Sequence, residues 1–159
     1  MVILVTTRFN NATLVQNHQY MKEQKLGCIY GSPIRINDNI PVKMDLMVLE
    51  MNNSKNKITG IGWIKNYICS DKKYNIYNDG NYNRFIYKGI IRIDAEYFRE
   101  EEIMLIEVLE ELLFYGYRHS KRSHGICKLP DWIINNSYKF NFKNAVKNMF
   151  VKRHLIKKL

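Results

Sequence analysis

With 159 residues, 46% of them apolar, the chain has the length of one domain and enough apolar side chains for a real core. No apolar run approaches the roughly 18 to 20 residues of a membrane span, and Cys28, Cys69 and Cys127, odd in number and without a CxxC pair, exclude a disulfide framework or a zinc ribbon and imply an intracellular, reducing compartment. The formal net charge of +10 favours nucleic acid, an anionic membrane surface or an acidic protein as partner. A composition heavy in Asn, Ile, Lys and Tyr, as an AT-rich genome produces, inflates lysine by itself, so the position of the charge weighs more than its amount.

Residues 2–6 (VILVT) are a β-branched run that predicts a central strand. The stretch has no charged residue ahead of it, is too short for a secretory signal and lacks a small-residue cleavage site. Asn10, Asn11 and Thr13 supply capping side chains for a helix over 14–24, with Leu14, His18 and Met21 on one stripe and Gly27 as its stop. Residues 28–33 are short and end at Pro33, which cannot donate to a ladder. Residues 34–36 alternate briefly before a loop at 37–39, and Pro41 introduces a hairpin.

That hairpin, residues 45–65, organises the chain. A nearly continuous apolar strand (46–51) leads through the polar tip NNSKNK (52–57) into ITGIGWI (58–64). The second strand alternates in period two, Ile58, Gly60, Gly62 and Ile64 on one face and Thr59, Ile61 and Trp63 on the other. Two glycines on one face clear room for something that comes close, a backbone at a bulge or barrel corner, or a flat ligand beside Trp63. Asp45 and Glu50 lie five apart and so on opposite faces. Glu50 with Lys57 or Lys65 imitates part of a nuclease site, but no metal-binding trio of acids accompanies it.

Residues 66–87 are polar and aromatic, with Tyr67, Tyr74, Tyr77 and Tyr82 interleaved with Lys72, Lys73 and Arg84; Asp79-Gly80 marks a turn. Such tyrosines either pack one face and expose a hydroxyl or serve as stacking platforms. Residues 84–93 alternate as one further strand with Gly89 a candidate bulge. A helix follows, with Asp94 as its N-cap, Glu100, Glu101 and Glu102 near the start, and Leu105, Val108, Leu109 and Leu112 as its stripe. Ile103, Ile106 and Leu113 widen the stripe until the helix must be largely covered. After Gly116 comes the basic run 117–125, then core residues 126–134. His119, His124 and Cys127 fall one ligand short of a structural zinc site, and no P-loop, GxSxG or HExxH is present. The tail is a basic amphipathic helix, with Lys143, Lys147, Lys152, Arg153, Lys157 and Lys158 against Val146, Met149, Phe150 and Ile156.

The fold class expected is α+β, a small curled sheet or open β-barrel flanked by helices, with a domain over 1–136 and a basic helical appendage over 137–159. The apolar strand, Asn/Ser tip and Gly60-Ile61-Gly62-Trp63-Ile64 resemble the hairpin of the PUA-like superfamily, with its EVE, YTH and ASCH domains. The early strand, helix and strand also fit. That resemblance implies a compact barrel that binds RNA or modified bases, with a ligand cleft beside the hairpin and an aromatic such as Trp63 near it. The composition resembles that of proteins encoded by AT-rich large DNA viruses of amoebae, which implies the cytoplasm, a viral factory or a virion as the setting.

The function expected is a non-enzymatic nucleic-acid-binding module, RNA ahead of DNA, needing no cofactor or metal. Its binding residues are Trp63, Lys65, Tyr67, Arg84, Arg118, Lys121, Arg122, Lys147, Lys152 and Arg153, the cations on phosphates and the aromatics under bases. Two alternatives stay open. One is a structural or adaptor protein, virion-associated, that binds an acidic partner; the other is a small metal-independent ribonuclease.

Overall fold

The structure, a computed structural model, describes residues 1–156; the expected tail cations Lys157 and Lys158 lie outside the described residues. In chain order the elements are β1 (Val2–Phe9), α1 (Asn11–Gln24), β2 (Cys28–Ser32), β3 (Asp45–Asn52), β4 (Lys57–Lys65), β5 (Phe85–Gly89), β6 (Ile91–Asp94), α2 (Glu100–Phe114), β7 (Cys127–Lys128), α3 (Asp131–Ile134) and α4 (Phe142–Lys152). This is the α+β class. The strands form a mixed five-stranded sheet in the order β6-β4-β3-β1-β7 and a separate two-stranded ribbon of β2 and β5. No closed barrel forms among the described residues.

β1 runs parallel to β3, Val2 opposite Asp45 and Phe9 opposite Asn52. Both strands are covered on both faces, which is why they read as near-continuous apolar runs. Alternation divides their side chains between two cores. Leu4, Met47, Leu49 and Met51 join Ile106, Leu109 and Leu113 of α2 and Val146, Met149 and Phe150 of α4. Val5, Leu46, Val48 and Ile64 turn the other way and join Met21 of α1 with Tyr30, Ile86 and Tyr87 of the ribbon. The molecule is therefore three layers deep, and α4 lays its apolar side into the same core as α2.

Local chemistry sets the element ends. Asn10 caps α1 through a reciprocal pair, Thr13 N donating to Asn10 Oδ1 at 2.8 Å and Asn10 N donating to Thr13 Oγ1 at 3.0 Å. Residues 84–93 are not one strand. The chain leaves the ribbon at Gly89 and enters the main sheet at Ile91, because there it crosses β4 closely: a Cβ on Gly89 would sit 1.8 Å from the Trp63 carbonyl oxygen. Asp94 caps a short 3-10 turn (Ala95–Tyr97) by accepting from Glu96 N at 3.0 Å, and the long helix starts six residues later behind Arg99.

α2 is also less covered than its sequence predicts. Its buried stripe is Glu102, Ile106, Leu109, Glu110 and Leu113, while Ile103, Met104 and Val108 face outward. The two buried glutamates are why. Glu110 Oε2 accepts the Ile58 N–H at 2.7 Å, and Glu102 receives Arg153 from α4. Burial of acids is tolerated only with such partners, and they rotate the apolar stripe toward solvent.

Candidate nucleic-acid interface

Because β1 and β3 are parallel, their C-terminal ends share one end of the sheet, and a polar cleft of about 480 Å³ opens there. Arg8, Phe9 and Asn10 come from β1 and its exit, Asn53 from the hairpin tip, Tyr77 and Tyr82 from the segment before β5, and Lys121, Arg122 and His124 from the loop after α2. None of the lining residues is an aspartate or a glutamate.

The cationic loop is tied down from two sides. Arg8 Nη1 donates to the Ser120 carbonyl at 3.3 Å and to Thr6 Oγ1 at 2.9 Å, and Arg8 Nη2 donates to the Gly125 carbonyl. Asn53 Nδ2 donates to the Lys121 carbonyl at 2.8 Å. The backbone of the loop is thus spent on β1 and the hairpin tip, and the side chains of Lys121 and Arg122 are left at the cleft. Burial pulls the Arg8 guanidinium below the usual arginine range. Arg8 Nε and Asn53 Oδ1 are buried without a partner, a cost of ~1–3 kcal/mol for each such atom.

The cleft has an aromatic wall. Tyr77 is buried, its hydroxyl accepting from Asn17 Nδ2 at 2.9 Å, and burial pushes its pKa up. Tyr82 stands against it edge to face, centroids 6.3 Å apart, and is 45% exposed. One ring is fixed; the other is free to be stacked upon.

A second depression, about 710 Å³, lies at the other end of the sheet, where β1 and β3 begin and β4 ends. Trp63, Ile64 and Ile91 form its apolar floor, and Lys43, Lys65, Lys88 and Lys147 surround it. Asp45 is its single acid and is paired with Lys65 at 2.8 Å.

Between the two lies a buried ionic cluster. Glu50 is fully buried at a register shift in β3. It receives Arg92 Nη2 at 2.6 Å, Arg92 Nε at 2.8 Å, Tyr30 Oη at 2.6 Å and Thr59 Oγ1 at 3.2 Å. Arg92 also reaches Asp94 at 2.8 Å, and His18 Nε2 lies 3.1 Å from Arg92 Nη2. Burial alone would raise the Glu50 pKa; the bonds from Arg92, the approach of His18 and the Tyr30 hydroxyl outweigh it and hold the carboxyl at about 2. Burial and the Glu50 charge drive Tyr30 well above the phenol range, so it remains a donor. Both Glu50 oxygens are occupied, which makes the cluster a clamp between ribbon, sheet and α1. Burial, followed by the Glu50 charge, pushes the neighbouring Cys28 thiol up to about 12, so it is no nucleophile.

The hairpin glycines belong to this cluster. A Cβ on Gly62 would lie 2.1 Å from Tyr30 Oη, and one on Gly60 2.5 Å from Arg92 Nη2. A flat group does come close, and it is the chain's own Tyr30. Trp63 points to the opposite face and packs edge-on against Phe150, centroids 5.1 Å apart. The cleared surface beside Trp63 expected from the hairpin is therefore filled on the glycine side, and the indole opens only to the lysine-rimmed groove.

The ten expected binding residues divide accordingly. Lys121 and Arg122 line the polar cleft; Trp63, Lys65, Tyr67 and Lys147 line the apolar groove. Arg84 rests over Phe85 at 5.5 Å, and Arg118 lies 5.5 Å from both Tyr117 and Trp132. Lys152 is exposed at the end of α4. Arg153 is consumed by Glu102, at 2.7 and 2.5 Å, and by the carbonyls of Met149 and Tyr97. Arg8, Asn53 and the Glu50–Arg92 pair are joined to these sites by tertiary contacts that local sequence pattern does not mark. Only Arg8, a lone cation near the end of an apolar strand, carried a signal.

Among the described residues no group of three His, Cys, Asp or Glu is placed to hold a metal ion, and no helix is long and apolar enough to cross a membrane. Cys28, Cys69 and Cys127 are all free. Compared with known proteins, the chain matches no family model, no curated protein and no solved structure.

Proposed function

We propose that the chain is a non-enzymatic nucleic-acid-binding module that takes single-stranded RNA in the polar cleft. The observation that carries this reading is a cleft walled by Arg8, Lys121, Arg122 and His124 with no carboxylate among its lining residues. A backbone of phosphates gains from each cation it meets and loses to each acid. The half-open Tyr82 ring offers a base a stacking face, an interaction worth ~1–3 kcal/mol per base in binders of single strands. The volume suits one splayed nucleotide rather than the side of a duplex, and the hydroxyl of Ser123 is of the kind that engages a ribose 2′-OH. A PUA-like relation is part of the same proposal, supported by the order β1, α1, β2 and the β3–β4 hairpin. The free cysteines suit a reducing compartment.

Fluorescence anisotropy against single-stranded and duplex RNA and DNA tests it. Single-stranded RNA is expected to bind best, to dissociate as salt rises, and to lose affinity on Tyr82→Ala. No binding to any oligonucleotide at moderate salt, or binding indifferent to Tyr82, Lys121 and Arg122 together, rejects the cleft.

A further inference from the structure

The apolar groove at the far end of the sheet and the outward face of α2 are complementary in both charge and hydrophobicity. Glu100, Ile103, Met104, Glu107, Val108 and Glu111 are all exposed, and their spacing of i, i+3, i+4, i+7, i+8 and i+11 puts them on one helical stripe. Ile103, Met104 and Val108 are 44%, 70% and 51% exposed. Met104 and Val108 also border an apolar depression with Trp132 and Phe140, and exposed apolar surface that is continuous in this way marks a contact surface. α2 also concentrates acid. Six of the chain's 15 aspartates and glutamates lie on it, although the chain as a whole carries +10.

The groove presents the opposite pattern. Its floor is apolar, and its lysines come from four separate places: Lys43 ahead of β3, Lys65 on β4, Lys88 on β5 and Lys147 on α4. Lysines dispersed around a rim suit several charges spread along a partner, not one compact headgroup. Lys43 and Lys147 make no ion pair among the described residues. Ile90, 91% exposed at the corner between β5 and β6, adds a projecting apolar side chain.

We propose that this groove is a docking site for α2 of a second copy of the chain. Two copies at +10 each repel wherever basic surfaces meet, so self-contact is favoured where the acidic stripe faces the lysine rim. The mode is an amphipathic helix laid in a groove, anchored at i and i+4 by Met104 and Val108, with the stripe glutamates reaching the lysines. Groove and helix are different surfaces of one protomer, so the contact is head to tail, and it closes into a ring or extends as a chain. It does not rest on the RNA proposal, which concerns the opposite end of the sheet.

Sedimentation velocity on the full chain, over a dilution series at low and high salt, tests the proposal. Species heavier than the monomer are expected at low salt and are lost on dilution or on adding salt. Two charge-reversed forms decide the geometry, with thermal melts to show that each is folded. Lys43→Glu with Lys147→Glu makes the groove acidic; Glu107→Lys with Glu111→Lys makes the helix basic. Each form alone is expected to be monomeric, and an equimolar mixture is expected to regain the heavy species, since each groove then meets a helix of opposite sign. A wild type that stays monomeric at low salt and high concentration overturns the proposal, leaving the groove to a foreign acidic partner. Association that survives both reversals, or a mixture that fails to restore it, also overturns it. Association that survives groove reversal but is lost on Met104→Glu assigns the contact to two α2 faces instead.

Discussion

The two ends of the central sheet carry the same sign of charge over opposite floors. At the C-terminal ends of β1 and β3, cations overlook hydroxyls, amides and a tyrosine wall; at their starts, lysines surround Trp63, Ile64 and Ile91. Strand direction explains the difference. The chain leaves β1 and β3 through polar segments, the Asn10 cap and the Asn52–Asn53 tip, whereas the starts of both strands lead into apolar runs, β1 from Val2 and β3 from Leu46 just after Asp45. A net charge of +10 therefore does not describe one surface. Over a polar floor it suits a phosphodiester, and over an apolar floor it suits an acidic protein face.

The strongest way to break the comparison is to remove the clamp between the ends. Arg92→Ala leaves Glu50 buried and unpaired, a change that costs ~3–5 kcal/mol in such settings. Urea denaturation is expected to show that loss as a single transition, with RNA binding and self-association disappearing together. Loss of RNA binding at unchanged stability would instead make Arg92 part of the interface. Acid should act on the same clamp. The Glu50 pKa is depressed to about 2 in the folded chain, so its stabilisation, on the order of 3 kcal/mol, is complete above the ordinary glutamate range. It declines as pH falls from about 4.5 and is gone below about 2. The unfolding midpoint followed by circular dichroism across that window should fall more steeply for wild type than for Glu50→Gln.

Gly62→Ala comes next, at ~1–3 kcal/mol. Its new methyl meets Tyr30, which is fully buried and held to Glu50 and so cannot step aside. Thermal unfolding measures it, and an unchanged midpoint would mean that Tyr30 is not clamped.

This glycine also shows what the sequence could and could not say. Alternation correctly placed Gly60 and Gly62 on one face and Trp63 on the other, and it implied that either a backbone or a flat ligand approaches the glycines. Which group approaches is a tertiary fact. Tyr30 lies 32 residues away in sequence and reaches Gly62 only because the ribbon folds over the sheet. The α+β class, the capped first helix, the hairpin and the α4 stripe were legible because each is written in local period and cap chemistry. The buried side of α2 was not, because Glu102 and Glu110 read as surface acids until Arg153 and the Ile58 N–H are brought to them. In the same way Lys121 and Arg122 were readable as a dense basic run, whereas the strap that aims them, Arg8, is one residue in a strand 112 positions from its Ser120 partner.

The smallest expected effect separates the ends most sharply. Removing Lys121 and Arg122 together takes two cations from the cleft, and on a single strand each released counterion contributes roughly 0.7 to the slope of log affinity against log salt. The double variant Lys121→Ala/Arg122→Ala is therefore expected to bind RNA with a slope shallower by about 1.4, with the loss greatest at low salt and nearly absent at high salt. Lys43→Ala with Lys147→Ala removes the same charge from the groove and leaves the chain's net charge identical to that of the first variant. If diffuse attraction to a basic protein were all that held RNA, the two variants would lose slope equally. If the cleft holds it, only the first does, because the second pair lies beyond a Debye length of about 10 Å at moderate salt from any phosphate seated at the other end of the sheet. The ratio of the two slopes thus measures how much of the binding belongs to a place and how much to a sum of charges.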